Sequence, residues 1–231
     1  MQRIIASTIF LFLLLAGSAF AQQIDSPLEY IEETQSLGVF GGYLWTAAGV
    51  QDIGPQSMPL FGARYNIRFT GPVSGEASLS LGPTQRNVLH RVATADPDQP
   101  FQIINRGEAS ALFGMLEGGI RFHLTGPRTW YNLAPFLVGT GGLAGNMFGD
   151  RAIEEEFDIP EDQQVRFGPA LAVGIGAGTD WFPAPRLSLR LEVRDQIWRL
   201  TTPEQLLLPD QEEGGRWTNN IGLSVGAAYH F

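Results

Sequence analysis

The last fifteen residues, Trp217–Phe231, sort by parity into two kinds of side chain. Trp217, Ile221, Leu223, Val225, Ala227, Tyr229 and Phe231 share one parity, interrupted only at Asn219. Thr218, Asn220, Gly222, Ser224, Gly226, Ala228 and His230 share the other. Period-two alternation of this kind specifies a β-strand with one oily face and one polar or small face. An aromatic stands at each end of the oily face, and the chain finishes on Phe231.

The opposite end of the chain reads differently. Arg3, the apolar run Ile4–Leu15 and the small-x-small site Ala19-Phe20-Ala21 form the pattern of a cleaved secretory signal peptide, residues 1–21. Its apolar core is shorter than the roughly 20 residues a spanning helix needs, and no other segment is long and apolar enough. Membrane residence must then come from strands. The chain has no cysteine, hence no disulfide framework, thiolate metal site or lipid-bearing cysteine. A net charge of −9 argues against nucleic acid as a partner. Residues 22–35, with Asp25, Glu29, Glu32 and Glu33, read as a short periplasmic leader.

Residues 36–231 divide into eight alternating stretches: Leu37–Trp45, Leu60–Phe69, Ser74–Gly82 (continuing towards Val92), Leu112–Leu124, Trp130–Leu143, Val165–Trp181, Leu187–Trp198 and the final strand. Phe61, Ala63, Tyr65, Ile67 and Phe69 oppose Gly62, Arg64, Asn66 and Arg68, which sets the pattern. Phe167 opens the oily face of the sixth stretch. Pro135 costs the fifth a ladder donor. Asp195 breaks the oily face of the seventh before Ile197, which predicts a bulge or the edge of the apolar zone. Three connections (70–73, 125–129, 182–186) are short and contain proline; four (46–58, 85–110, 144–164, 199–216) are long and polar. Short turns at one end and long loops at the other are the outer-membrane barrel pattern, and an even strand count puts both termini on the short-turn side. The tryptophans fit this map. Trp45, Trp198 and Trp217 fall at outer strand ends, Trp130 and Trp181 at inner ends, and with Tyr229 they are the expected aromatic girdles.

With Trp217–Phe231 as a closing strand, the chain resembles the small porin-like outer-membrane β-barrels of Gram-negative bacteria, the eight-stranded OmpA/OmpX-type families. The resemblance implies an all-β, antiparallel up-and-down transmembrane barrel in the cell outer membrane. It implies outer-membrane lipids, periplasmic chaperones and the barrel assembly machinery as partners, with Phe231 as the residue the machinery reads. No cofactor is implied. The fold hosts adhesion, structural, enzymatic and minor transport roles, so it does not select a function.

If the oily face meets lipid, the lumen receives Arg64, Arg68, Glu76, Glu117, Arg121, His123, Asp180, Arg190, Glu192 and Arg194. Charges of one sign would suggest a selectivity ring. Mixed charges among Gly and Ala suggest instead a salt-bridged interior, because eight strands enclose only enough room for their own side chains. A narrow porin is the alternative. A secreted lipocalin-like barrel would turn the oily face inward around a ligand.

No Gly-x-Ser-x-Gly, His-Glu-x-x-His or Gly-rich phosphate loop occurs. His123 and His230 map to the inner end, and His90 to the outer rim without a serine spaced to join it. The chain reads as a non-enzyme. An acidic run (Asp150, Glu154, Glu155, Glu156, Asp158, Glu161, Asp162), with Asp210, Glu212 and Glu213, reads as solvated loop, or alternatively as a divalent-cation contact lacking EF-hand spacing.

Overall fold

The computed structural model describes residues 26–96, 101–165, 167–207 and 215–231. The expected signal peptide lies outside these residues, as do Asp25, Asp210, Glu212 and Glu213. Among the described residues there are ten strands: β1 (Leu28–Tyr30), β2 (Gln35–Trp45), β3 (Met58–Thr70), β4 (Val73–Ala93), β5 (Phe101–His123), β6 (Arg128–Trp130), β7 (Leu133–Gly149), β8 (Ala170–Ala184), β9 (Leu187–Thr201) and β10 (Gly215–His230). Eight of them, β2–β5 and β7–β10, pair antiparallel with their neighbours in chain order. β10 returns to β2, from His230↔Ser36 to Ile221↔Trp45, and closes the sheet. The molecule is an up-and-down eight-stranded barrel. Closure leaves no edge along the wall, which is what a sheet needs where water cannot satisfy its backbone.

Side chains are distributed inside out. Val39, Phe61, Leu116, Ile120, Leu137, Leu171, Ile175, Leu189, Leu191, Val193 and Val225 are exposed on the outer face, while Arg64, Glu76, Glu117, Arg121, Asp180, Arg190, Glu192 and Arg194 are buried. An apolar belt running round the whole wall far exceeds the patches that soluble monomers expose. A secreted barrel with its oily face around a ligand is therefore corrected, since that face points outward. No described helix is long and apolar enough to cross a membrane.

Three boundaries differ from the sequence reading. First, the connection expected over 85–110 holds strand: the third stretch does continue past Val92, and residues 101–110 pair with it from Gln85↔Ser110 to Ala93↔Phe101. β3 leaves β4 at Phe61↔Leu81 and β7 leaves β5 at Ala111↔Gly149, so this ribbon projects above the barrel. Outside the apolar zone a strand needs no oily face, which removes the alternation that would have shown it. A bulge between Val88 and Leu89, opposite Gly107 at φ 137°, also shifts its parity.

Second, β8 begins at Ala170, and Phe167 points into the barrel, not outward. Gly168, at φ 140°, and Pro169 break the alternation between them.

Third, no bulge occurs at Asp195: β9 keeps register with β10 from Leu187 to Thr201. Trp198 therefore retains the parity of Arg190, Glu192 and Arg194 and is 0% exposed. Its assignment to the aromatic girdle is wrong. Trp45, Trp181, Trp217 and Tyr229 are exposed on the outer face, and Trp130 is exposed on β6 in an inner connection.

Residues 28–31 are tied to the barrel. β1 pairs with β6, Ile31 N–H donates to Pro127 O at 3.1 Å, and Ile31 packs with Ala134 and Phe182 across the inner mouth.

Candidate functional site

The barrel interior is filled in three layers. At the inner end, under the Ile31–Ala134–Phe182 cluster, two histidines each share a hydrogen bond with a serine. Ser74 Oγ and His123 Nε2 are 2.9 Å apart, and Ser188 Oγ and His230 Nε2 are 2.8 Å apart. All four side chains are buried. The serines went unnoticed in the sequence because they stand 49 and 42 positions from their histidines; only the register of adjacent strands brings each pair together.

The middle layer is the charge network. Glu76 on β4 is its hub. It accepts from Arg121 on β5 and from Arg190 Nη1 and Arg194 Nη2 on β9 at 3.3 and 2.7 Å, and it forms an ion pair with Arg64 Nε on β3 at 3.2 Å. Asp180 on β8 takes Arg190 Nε at 2.6 Å and Arg121 Nη1 at 3.3 Å. Glu192 pairs with Arg64 Nη2 at 3.1 Å and Arg194 Nη2 at 2.8 Å. Glu117 pairs with Arg194 Nη1 at 3.3 Å and accepts from Thr140 Oγ1 and Gln196 Nε2. Four arginines face four carboxylates, so the layer is formally neutral. That balance makes burial of so many charges tolerable, because an unpaired ion in a low-dielectric interior is very costly. Arginine suits the task, since one planar fork can reach two carboxylates on different strands. Aromatic faces complete the packing: the Arg64 guanidinium lies 4.5 Å from the Phe40 ring centre and that of Arg121 lies 4.3 Å from Phe136.

Arg68 stands apart from the network. Its Nη1 donates to Ile31 O at 2.6 Å and ties the segment before β2 to β3.

The third layer is apolar, although it occupies inward positions. Leu44, Met58, Leu60, Phe113, Met115, Phe167 and Trp198 form a buried cluster across the outer third of the barrel. Phe113 and Phe167 stack at 6.2 Å, and Trp198 lies 5.5 and 5.8 Å from them. The sequence did carry a signal for this plug. Leu44, Met58 and Leu60 fall on the polar parity near the outer ends of two adjacent strands, where an open channel would place polar groups.

Above the plug the outer connections fold onto the β4–β5 ribbon. Ile53, Leu89, Val165 and Leu206 form one small core, and Val88, Ala109 and Ile159 another. Helix α1 (Ala152–Glu156) brings Glu154, part of the acidic run, into a buried ion pair with Arg86. Among the described residues no group of three or more His, Asp or Glu is placed to hold a metal ion. His90 is half-buried in the ribbon, 3.5 Å from Arg106 Nη2.

No protein-family model and no curated protein matches this chain. Among solved structures it is similar to Neisserial surface protein A (NspA), at 11% identity and a TM-score of 0.48, over 89% of this chain and 98% of that one. The outer membrane protein OprG from Pseudomonas aeruginosa shows 12% identity and a TM-score of 0.47, over 86% and 97%. The outer membrane protein AlkL shows 11% identity and a TM-score of 0.42, over 86% and 90%. The shared feature is the small eight-stranded barrel. The likeness does not extend beyond fold.

Proposed function

We propose that this chain is an integral outer-membrane β-barrel protein with a non-conducting lumen, acting structurally or through contacts of its outer loops with a surface ligand. The observation that carries the reading is the filled interior: a neutral charge layer below and an aromatic plug above. The narrow-porin alternative would require both layers to part, separating ion pairs in a low-dielectric space. What remains available is the outer surface, where the β4–β5 ribbon and the folded connections stand clear of the wall. Single-channel recording on refolded protein in planar bilayers is the direct test. No unitary conductance is expected, and discrete current steps would restore the porin reading.

We propose a non-enzymatic role, which the same geometry supports. Catalysis by a serine–histidine pair needs a substrate carbon within reach of the nucleophile. All four side chains of the pairs are buried, and the Phe182 ring lies 5.0 Å from that of His230. No cofactor and no nucleic acid enter this reading.

Outer-membrane lipids are the solvent of the belt, with Trp45, Trp181, Trp217, Trp130 and Tyr229 as headgroup-level anchors. Phe231 is the proposed recognition residue for the assembly machinery, reached through periplasmic chaperones. It is 50% exposed at the closing seam, where its N–H donates to Gln35 O at 2.9 Å. Deleting Phe231 is expected to lower outer-membrane yield and leave periplasmic aggregates, with refolding in detergent largely intact. Normal membrane levels of the deletion, measured by fractionation, would remove the assembly role.

A further inference from the structure

We infer that the barrel wall carries a blind binding site for the acyl chain of a single-chain anionic amphiphile, at the outer end of the β8–β9 seam. The inference rests on the membrane placement proposed above.

The wall is incomplete there. β9 pairs with β10 as far as Thr201↔Gly215, but its pairing with β8 ends at Ala172↔Trp198. Residues 199–201 therefore have no strand beside them on the β8 side among the described residues. The missing stretch is replaced by Phe167-Gly168-Pro169, which leaves the sheet. Gly168 adopts φ 140°, Pro169 has no donor to offer a ladder, and Phe167 turns into the plug while its carbonyl accepts from Asn146 N–H at 2.7 Å.

The gap is a cavity of about 400 Å³, within the range of small-molecule sites. Its lining crosses the wall. Leu171, Arg199 and Trp217 belong to the outer surface, whereas Val165 and Leu200 are buried within. A second cavity of about 490 Å³ flanks the other side of the same segment, between Leu116, Leu143 and Met147 outside and Met115 and Ala144 inside. The two share Phe167, Gly168 and Pro169 as a common wall. The Phe113–Phe167–Trp198 stack closes the route inward, so a ligand entering from the lipid side stops there.

The chemistry of the lining selects the ligand. Arg199 is the single charged residue among the described lining residues of the first cavity. Its Nε donates to Gly215 O at 3.1 Å, which holds the side chain at the mouth next to Trp217. A slot of mixed lining, with Leu171, Val165, Leu200 and Trp217 apolar and Arg199 and Thr201 polar, at the level where strands leave the lipid, fits an amphiphile: a hydrocarbon chain ending in a carboxylate or similar anion.

The test uses the full barrel refolded into dimyristoyl-phosphatidylcholine nanodiscs, with methyl NMR of leucine and valine and two probes, 16-doxyl-stearate and 16-doxyl-phosphatidylcholine. The expected result is saturable broadening of the Leu200 and Val165 methyls by doxyl-stearate but not by the phospholipid probe. Arg199→Gln should then require roughly two- to fivefold more stearate, the upper part of the range for one rim-exposed charge contact. Silence of Leu200 and Val165 towards both probes, with Leu191 broadened by the phospholipid probe, overturns the site and leaves the membrane reading standing. Equal broadening by both probes without an effect of Arg199→Gln overturns the anionic selectivity and assigns the slot to bulk lipid chains. If the Leu191 methyls fail to respond to the phospholipid probe, the membrane placement itself falls, and the inference with it.

Discussion

Replacing Glu76 with glutamine is expected to destabilise the barrel by about 3–5 kcal/mol, the cost of leaving a buried ion pair without one partner. Glutamine keeps the shape of the side chain and removes only the charge. Glu76 is the one carboxylate that meets all four arginines of the layer. Without it, four guanidiniums face three carboxylates in a space that admits little water. Glu192→Gln should cost less, because among the described residues Glu192 pairs with Arg64 and Arg194 alone, both of which keep Glu76. A second change, Arg194→Gln, restores three against three and should recover part of the loss. The coupling energy expected between neighbours in one network is about 0.5–3 kcal/mol. Urea unfolding in lipid vesicles, followed by tryptophan fluorescence, measures each variant. A Glu76→Gln protein within about 0.5 kcal/mol of the parent would show that water or backbone dipoles neutralise the arginines, and the network would lose its structural role.

How far the sequence disclosed this arrangement depends on what each segment is asked to satisfy. Inside the lipid zone the constraint is strict: odd positions of β9 such as Leu189, Leu191 and Val193 meet hydrocarbon, and even ones such as Arg190 and Glu192 meet the lumen. Alternation follows from that demand, and eight strands, their order and the charged lumen can be read from it. Beyond the zone the demand lapses. The ribbon of residues 85–93 and 101–110 faces water and loop side chains, so its strands carry no periodic mark. Asp195 shows the same change of regime. It lies on the outer face, where its Oδ1 accepts from Asn220 N–H at 3.1 Å. Trp198 was placed in the girdle from its position at a strand end, although its parity with Arg194 already turned it inward. Phe167 was misplaced because a single glycine at positive φ reverses parity without altering composition.

The partners within the lumen were the least legible part. Which arginine meets which carboxylate is set by the stagger of strands around the closed barrel, which is a property of the whole sheet. The two Ser–His pairs, the Arg68 contact with Ile31 and the hub position of Glu76 all depend on that stagger.

Placing arginine at Leu191 is expected to cost about 2–4 kcal/mol, the range for a lipid-facing cation near the bilayer midplane. Leu191 is 50% exposed and stands between Thr179 on β8 and Val225 on β10, well inside the span from Trp181 to Trp217. Its neighbours in the chain, Arg190 and Glu192, are buried in the charge layer, so one step along the strand separates hydrocarbon from the polar interior. Leu191→Ala controls for lost side-chain volume and should cost much less, since the leucine has no protein cavity to leave empty. A loss confined to the arginine variant then reports the surrounding medium and not packing. Spin labels give an independent reading of the same contrast. A label at 191 should respond to lipid-soluble oxygen and to lipid-chain quenchers, whereas one at 190 should be insensitive to oxygen. In a barrel surrounded by water, Leu191→Arg would be neutral or stabilising and the label at 191 would report bulk solvent. Either result would remove the membrane from the account of this fold, because the exposed belt would then have no apolar medium to face.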